Sequence, residues 1–319
     1  MKTVIAISSM ISFVTLAYSQ LVTPEVKRAI WNTGAETKVL FRVMDDLGHP
    51  ISNVHINVGL WMPWNENAEV GVVSDDNGEA CIVGKSSGEV TGMFSKNGYY
   101  SSRLHYFLYR LPGGGVKDGR WLPYGGTNIV TMKRIRQPIE MSVGYPCRIS
   151  DLVFPVTNQV VGFDLKMWDW CNPYGEGRKD DCQIVYYGVE EGRLDMMFTN
   201  GLDGAVVYPR SSISVFPSIY NADTNANYKK SFTFRCTEVG ENLNLSSEYI
   251  VFRVRTRVND NGCLEYANYG KIYGPLSFRR RLSFTSYFNP TPNDTNLECD
   301  TRRNLLKDKR GRPLSIGDP

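Results

Sequence analysis

The chain has 319 residues, 36 of them basic and 33 acidic, for a net charge of +3. A balance that near zero argues against nucleic acid or an anionic surface as the dominant partner. With three histidines and no Cys-x-x-Cys, the common zinc sites are not expected, and no phosphate-binding loop, dinucleotide fingerprint or Gly-x-Ser-x-Gly occurs.

Lys2 precedes an apolar run from Val4 to Ala17, and Ala17-Tyr18-Ser19 carries small residues where a signal peptidase reads. Residues 1–19 are therefore expected to be a secretory signal, too short to span a bilayer comfortably. Its removal leaves the chain at +2. No later apolar stretch is long enough to cross a membrane, and the expected location is periplasmic, cell-surface or extracellular. The remaining length suits two domains of ~100–200 residues each.

Residues 20–37 are expected to form a short helix and lead-in, with Thr23 as cap, Pro24 at the first position and Glu25 in the first turn. Val39 to Met44 then reads as a strand, Asp45 to Pro50 as a turn, and Asn53 to Leu60 as a second strand. There Val54, Ile56, Val58 and Leu60 alternate with polar or small residues, the period-2 mark of one buried face. Val70 to Ser74, the turn Asp75-Asp76-Asn77-Gly78 and Ala80 to Val83 form a hairpin pattern. Gly92 to Leu108 and Asn128 to Ile135 complete a first sandwich over residues 38–137, around a glycine-rich loop from Leu111 to Gly126. Gln137-Pro138-Ile139 is the expected linker.

A second sandwich is expected over 138–290. Its strands are read at Val160–Met167, Gln183–Tyr187, Leu194–Phe198, Ala205–Tyr208, Ser211–Phe216, Ser231–Cys236 and Ile250–Val258, punctuated by Asn/Asp-Gly turns. Residues 291–319 read as a basic, loosely ordered tail. The fold class is thus all-β, two tandem antiparallel β-sandwiches after a short N-terminal helix.

The strand-Asp-x-x-Gly-x-Pro-strand of Val39 onward, followed by Ser-Asp-Asp-Asn-Gly-Glu, resembles the carboxypeptidase-regulatory-like, transthyretin-like domains. The resemblance covers about residues 38–137 and implies an accessory module, generally not itself catalytic. No metallocarboxypeptidase zinc motif accompanies it. The second half looks like exported bacterial proteins without an assigned activity. The residues that carry this likeness include Trp168-Asp169-Trp170, Phe252 to Thr256, Tyr269 to Gly274 and Asn289 to Asp294.

Four constellations carry possible chemistry. Trp61 and Trp64 sit just past a strand, and Trp121 and Tyr124 end the glycine-rich loop. Together they form either an aromatic platform for sugars or Pro-rich peptides, or plugs of their own core. Asp164, Asp169, Glu176, Asp180 and Asp181 crowd a loop with Trp168, Trp170 and Tyr174. That pattern serves a glycosidase, a calcium ion or simply a solvated loop. Arg253, Arg255 and Arg257 are expected on the face opposite Ile250, Phe252, Val254 and Val258, a ladder able to grip a polyanion or to pair with neighbouring carboxylates. Of seven cysteines, Cys171 and Cys182 flank a short loop and form the candidate disulfide, which would stabilise by ~3 kcal/mol.

No cofactor is expected. The leading expectation is an exported non-catalytic module that binds a glycan or an envelope protein. The alternatives are a structural surface component and a hydrolase built on the Trp168–Asp181 loop.

Overall fold

A computed structural model describes residues 23–62, 64, 68–145, 152–210, 213–235, 247–279, 281–308, 310–314 and 316–319. The expected signal at 1–19, Cys147 and Cys236 lie outside the described residues. The fold is all-β with short helical turns, and the chain divides into two compact units. Unit 1 runs to Ile135 and takes in the short segment ending at Val215; unit 2 comprises the rest. The break at Ile135 lies two residues before the expected linker.

Unit 1 opens with helix α1 (Pro24–Arg28), capped as the sequence predicts: Thr23 Oγ1 accepts the Val26 N–H at 3.3 Å. A π-helical turn, Ala29–Thr33, extends it to Gly34. The strands follow as β1 (Ala35–Asp45), β2 (His55–Leu60), β3 (Ala68–Val73), β4 (Glu79–Ser86), β5 (Glu89–Ser95), β6 (Ser102–Phe107), β7 (Gly115–Lys117), β8 (Arg120–Leu122) and β9 (Gly126–Met132). One sheet is ordered β4-β1-β8-β7, with β9 also on β1; the other is β3-β2-β5-β6. Pairing is mainly antiparallel, but β1 and β9 run parallel, Val39 opposite Gly126. Val39, Phe41 and Val43 meet Ile56, Val58 and Phe94 between the sheets, with Phe41 and Phe94 edge to face at 5.2 Å.

The two turn motifs work through their aspartates. Asp45 Oδ1 accepts the Leu47 and His49 N–H groups at 2.9 and 2.8 Å. Asp75 Oδ1 accepts those of Asn77 and Glu79 at 2.9 and 2.7 Å. Such side-chain acceptors stand in for backbone partners and fix the turn. Gly78, at φ +73°, touches the end of β1 so closely that a Cβ would lie 2.4 Å from Val43 O.

Unit 2 carries β10 (Ile139–Gly144), β11 (Leu152–Val153), β12 (Val160–Asp164), β13 (Asp169–Trp170), β14 (Cys182–Tyr186), β15 (Arg193–Met197), β16 (Gly204–Pro209), β17 (Ser231–Arg235), β18 (Glu248–Val258), β19 (Leu264–Ser277), β20 (Arg281–Phe288) and β21 (Cys299–Asn304). A seven-stranded sheet, β16-β18-β19-β20-β10-β21 with β11 on β20, accompanies a five-stranded one, β13-β12-β14-β15-β17. Phe163, Trp168, Ile184 and Leu194 pack with Phe252, Phe284 and Phe288 in one core. The other face of the larger sheet is buried too, under a tyrosine-rich cluster of Tyr249, Tyr269, Tyr273, Tyr287 and Leu297.

Two expectations need correction here. The stretch read as a strand at 211–216 holds, among its described residues, only an isolated bridge from Ser214 to Ser102. The segment expected as a loose tail instead builds the sheet: β21 runs parallel to β10. The buried Glu298 carboxylate accepts the N–H groups of Arg136 and Gln137 at 2.8 and 2.6 Å. Asn304 takes Val143 N–H on Oδ1 and gives Nδ2–H to Val143 O, each at 2.9 Å. Its basic residues are partly neutralised nearby, Arg302 by Asp300 and Arg312 by Asp308. Replacing Asn304 with Ala should cost about 2–4 kcal/mol in denaturant unfolding, because two buried backbone groups lose their partner. A loose tail would show no loss.

Candidate functional site

The predicted aromatic loops separate into a plug and an open face. Trp121, carried by β8, is 1% exposed, and its Nε1–H donates to Ser86 O at 2.8 Å. The turn over it, Ser86 to Glu89, is shaped around that ring. Gly88 sits at φ +90°, and a Cβ there would lie 2.8 Å from the indole. Tyr124 also turns away from any shared platform. Its phenol donates to the Glu36 carboxylate, which pushes its pKa up, and the Arg120 guanidinium lies 4.9 Å from its ring centre.

Trp61 and Trp64 are not plugs, at 42% and 84% exposed. Leu60, the last residue of β2, is fully buried, so the chain leaves the core there and the next residues point outward. Trp61 is nonetheless pinned by its backbone: its carbonyl accepts Ser87 N–H at 2.6 Å, and its N–H reaches Glu89 O at 3.4 Å. Trp31, 70% exposed at the π-helical turn, joins them. These three indoles, with Ile30, Met62, Phe107 and Tyr109, line a groove of about 780 Å³ whose polar residues, among those described, are Lys27, Ser87 and Glu89. Phe107 and Tyr109 lie 5.5 Å apart, and Tyr109 rests 6.2 Å from the buried Trp121. His105 Nε2 lies 2.9 Å from Glu89 Oε1, holding that carboxylate at the groove.

Aromatic faces on rigid elements, beside a few polar groups, suit apolar ring faces and hydrogen-bonding edges. Sequence reasoning found Trp61 and Trp64 but missed Trp31, Phe107 and Tyr109, because only tertiary structure brings the helical turn beside the β2 exit.

The arginine ladder is not a ladder. Because both faces of the larger sheet are buried, Arg253 lies in the tyrosine cluster, 4.1 Å from the Tyr228 ring, donating to the Leu202 and Thr224 carbonyls. The pairing of β18 with β19 slips between Val254 and Arg257, and Arg255 takes φ +59°. That bulge re-aims its side chain to the opposite face. Arg257 remains exposed over Tyr266. The three guanidiniums therefore offer no common anion site.

Arg255 instead binds the acidic loop. Its Nε and Nη2 donate to the two oxygens of Asp181 at 2.7 and 2.8 Å, and Nη2 also reaches Asp164 Oδ1 at 3.0 Å. Asp164, 1% exposed, further accepts the N–H groups of Lys166, Met167, Arg178 and Lys179. Burial pushes Asp181 up to about 6, with Asp164 adding to the rise and Arg255 opposing it. Asp169 accepts Trp170 and Glu176 N–H groups, and Asp180 accepts Gln183 Nε2–H. These oxygens are spent on shaping the loop, and among the described residues no group of three His, Cys, Asp or Glu is placed to hold a metal ion.

Cys171 and Cys182 are separate thiols. Strand β12 lies between them: Cys171 N–H bonds Gly162 O on one side, and Cys182 pairs with Phe163 on the other. Two strand spacings amount to ~9–10 Å, beyond the ~7 Å Cα reach of a disulfide. Cys171 Sγ–H donates to Lys179 O at 3.3 Å, and burial raises both thiol pKa values.

Unit 1 is thus an all-β sandwich with an open aromatic groove. No protein-family model matches the chain, and no curated protein does. Among solved structures, 3-chlorocatechol 1,2-dioxygenase from Rhodococcus opacus 1CP is 10% identical, over 32% of this chain and 61% of its own, with a TM-score of 0.26. Chlorocatechol 1,2-dioxygenase from Pseudomonas putida gives 12%, 33%, 63% and 0.26. Each alignment thus spans less than two thirds of the dioxygenase. A DUF3823 family protein from Parabacteroides merdae ATCC 43184 aligns over 81% of this chain and all of its own at 9% identity, TM-score 0.21. Likenesses this slight say nothing of activity.

Stability measurements separate the roles. Trp121→Ala should cost about 3–5 kcal/mol through its cavity, whereas Trp64→Ala should stay within ~0.5 kcal/mol of wild type. Arg255→Met should cost about 3–5 kcal/mol by stranding two buried carboxylates. Equal losses at Trp64 and Trp121 would overturn the division between plug and groove.

Proposed function

We propose that the protein is an exported, non-catalytic binding module of the cell envelope or extracellular space, and that its ligand, a glycan or a protein, docks in the aromatic groove of unit 1. The observation that carries this reading is the exposure of Trp31, Trp61 and Trp64 around one groove while a fourth indole, Trp121, fills the core beneath. Large aromatic surface left outside a completed core marks an interaction site. Export is supported by Lys2, the apolar run and the small residues before Gln20. The accessory character is supported by the resemblance of residues 38–137 to carboxypeptidase-regulatory-like domains.

The mature chain, residues 20–319, is to be screened on a broad glycan array and against envelope proteins, beside a Trp61→Ala/Trp64→Ala variant. Selective binding should fall at least ~10-fold in the variant with its unfolding midpoint unchanged, since anchor aromatics typically contribute ~2 kcal/mol or more. Selective binding that survives in the variant would place recognition elsewhere.

A further inference from the structure

The polar residues of the groove narrow its occupant. Three exposed indoles, Phe107 and Tyr109 supply aromatic faces, with the Arg110 guanidinium 4.5 Å from the Phe107 ring centre, and Lys27, Ser87 and Glu89 are the polar residues of the described lining. Among the described lining residues, Lys27 and Glu89 set one ammonium and one carboxylate in the groove. Glu89 is half-buried, and His105 engages only one of its oxygens, Oε1 at 2.9 Å. A carboxylate oxygen facing a groove asks its ligand for a hydrogen-bond donor, while an ammonium asks for an acceptor.

We infer that the groove takes an uncharged glycan, its pyranose faces stacked on the indoles of Trp31, Trp61 and Trp64 and its hydroxyls shared between Lys27 and Glu89. The inference rests on the binding-module reading and gives it a ligand class. A sugar hydroxyl donates and accepts, so neighbouring hydroxyls serve both charged groups at once. A proline-rich peptide stacks equally well on indoles, but prolyl residues have no N–H and leave Glu89 without a donor. A polyanion meets Lys27 but also brings its own carboxylates against Glu89, where like charges repel. Glu89 and Lys27 then set specificity, and His105 is a positioning residue that keeps the Glu89 carboxylate in place.

The test uses the mature full-length chain, with tryptophan fluorescence and calorimetric titration by cellohexaose, hexagalacturonate and a decaproline peptide, alongside an array of uncharged oligosaccharides. An uncharged oligosaccharide should bind at least ~10-fold tighter than the acidic hexamer or the peptide. That binding should fall roughly tenfold in Glu89→Gln and in Lys27→Met, the usual loss for a hydrogen bond to a charged group, with unfolding midpoints unchanged. It should vanish in Trp61→Ala/Trp64→Ala. Tighter binding of hexagalacturonate or decaproline, lost in the tryptophan variant, overturns the ligand class and leaves the groove standing. No binding to any uncharged oligosaccharide also overturns it. Uncharged glycan bound equally well by the tryptophan variant overturns both the class and the groove.

Discussion

The turn from Ser86 to Glu89 is the constraint on which unit 1 depends. Ser86 O takes the Trp121 indole N–H at 2.8 Å, and its hydroxyl bonds Thr37 Oγ1 at 2.7 Å and receives Gly88 N–H at 3.1 Å. Ser87 N–H and Glu89 O hold the backbone of Trp61, while Gly88 O receives Leu108 N–H at 2.7 Å. One tight turn therefore ties together β1, the ends of β2 and β6, and β8. Because Trp121 completes the core under it, the remaining indoles of unit 1 are not needed for packing.

Unit 2 is organised by buried cations rather than by an open face. Arg255 crosses a bulge to join Asp164 and Asp181, clamping the acidic loop onto the larger sheet. On that sheet's other face, Lys271 is fully buried, its Nζ donating to Ser218 Oγ at 3.1 Å amid the rings of Phe216, Tyr273 and Tyr287 at 4.4–4.8 Å. Cation–π contacts of this kind strengthen when water is excluded. Removing Arg255 would leave two buried carboxylates uncompensated, which costs far more than forming the pair gains.

Unit 1 was legible in the sequence because its sheets have one buried face each: β1 and β2 alternate, and Asp45 and Asp75 announce their turns. Unit 2 was less so. Both faces of its larger sheet are covered, so β19, with Tyr266, Tyr269 and Tyr273 set among Asn268, Gly270 and Lys271, shows no period-2 pattern to read. The same double burial, with the slip after Val254, undid the arginine ladder. Polar composition hid β21, whose place depends on buried Glu298 and Asn304 rather than on apolar alternation. Of the groove, Trp61 and Trp64 stood out as aromatic residues beside a strand end. Trp31, Phe107 and Tyr109 did not, since helix, strand and turn meet only in three dimensions.

The chain holds six tryptophans, and their indole N–H resonances report each one separately. Following those six signals in the ¹⁵N-labelled protein during titration with the best uncharged oligosaccharide tests the central claim most directly. The signals of Trp31, Trp61 and Trp64 should shift with a common saturation curve while Trp121, Trp168 and Trp170 stay fixed. Shifts centred on the buried three, or spread evenly over all six, would contradict recognition at the groove.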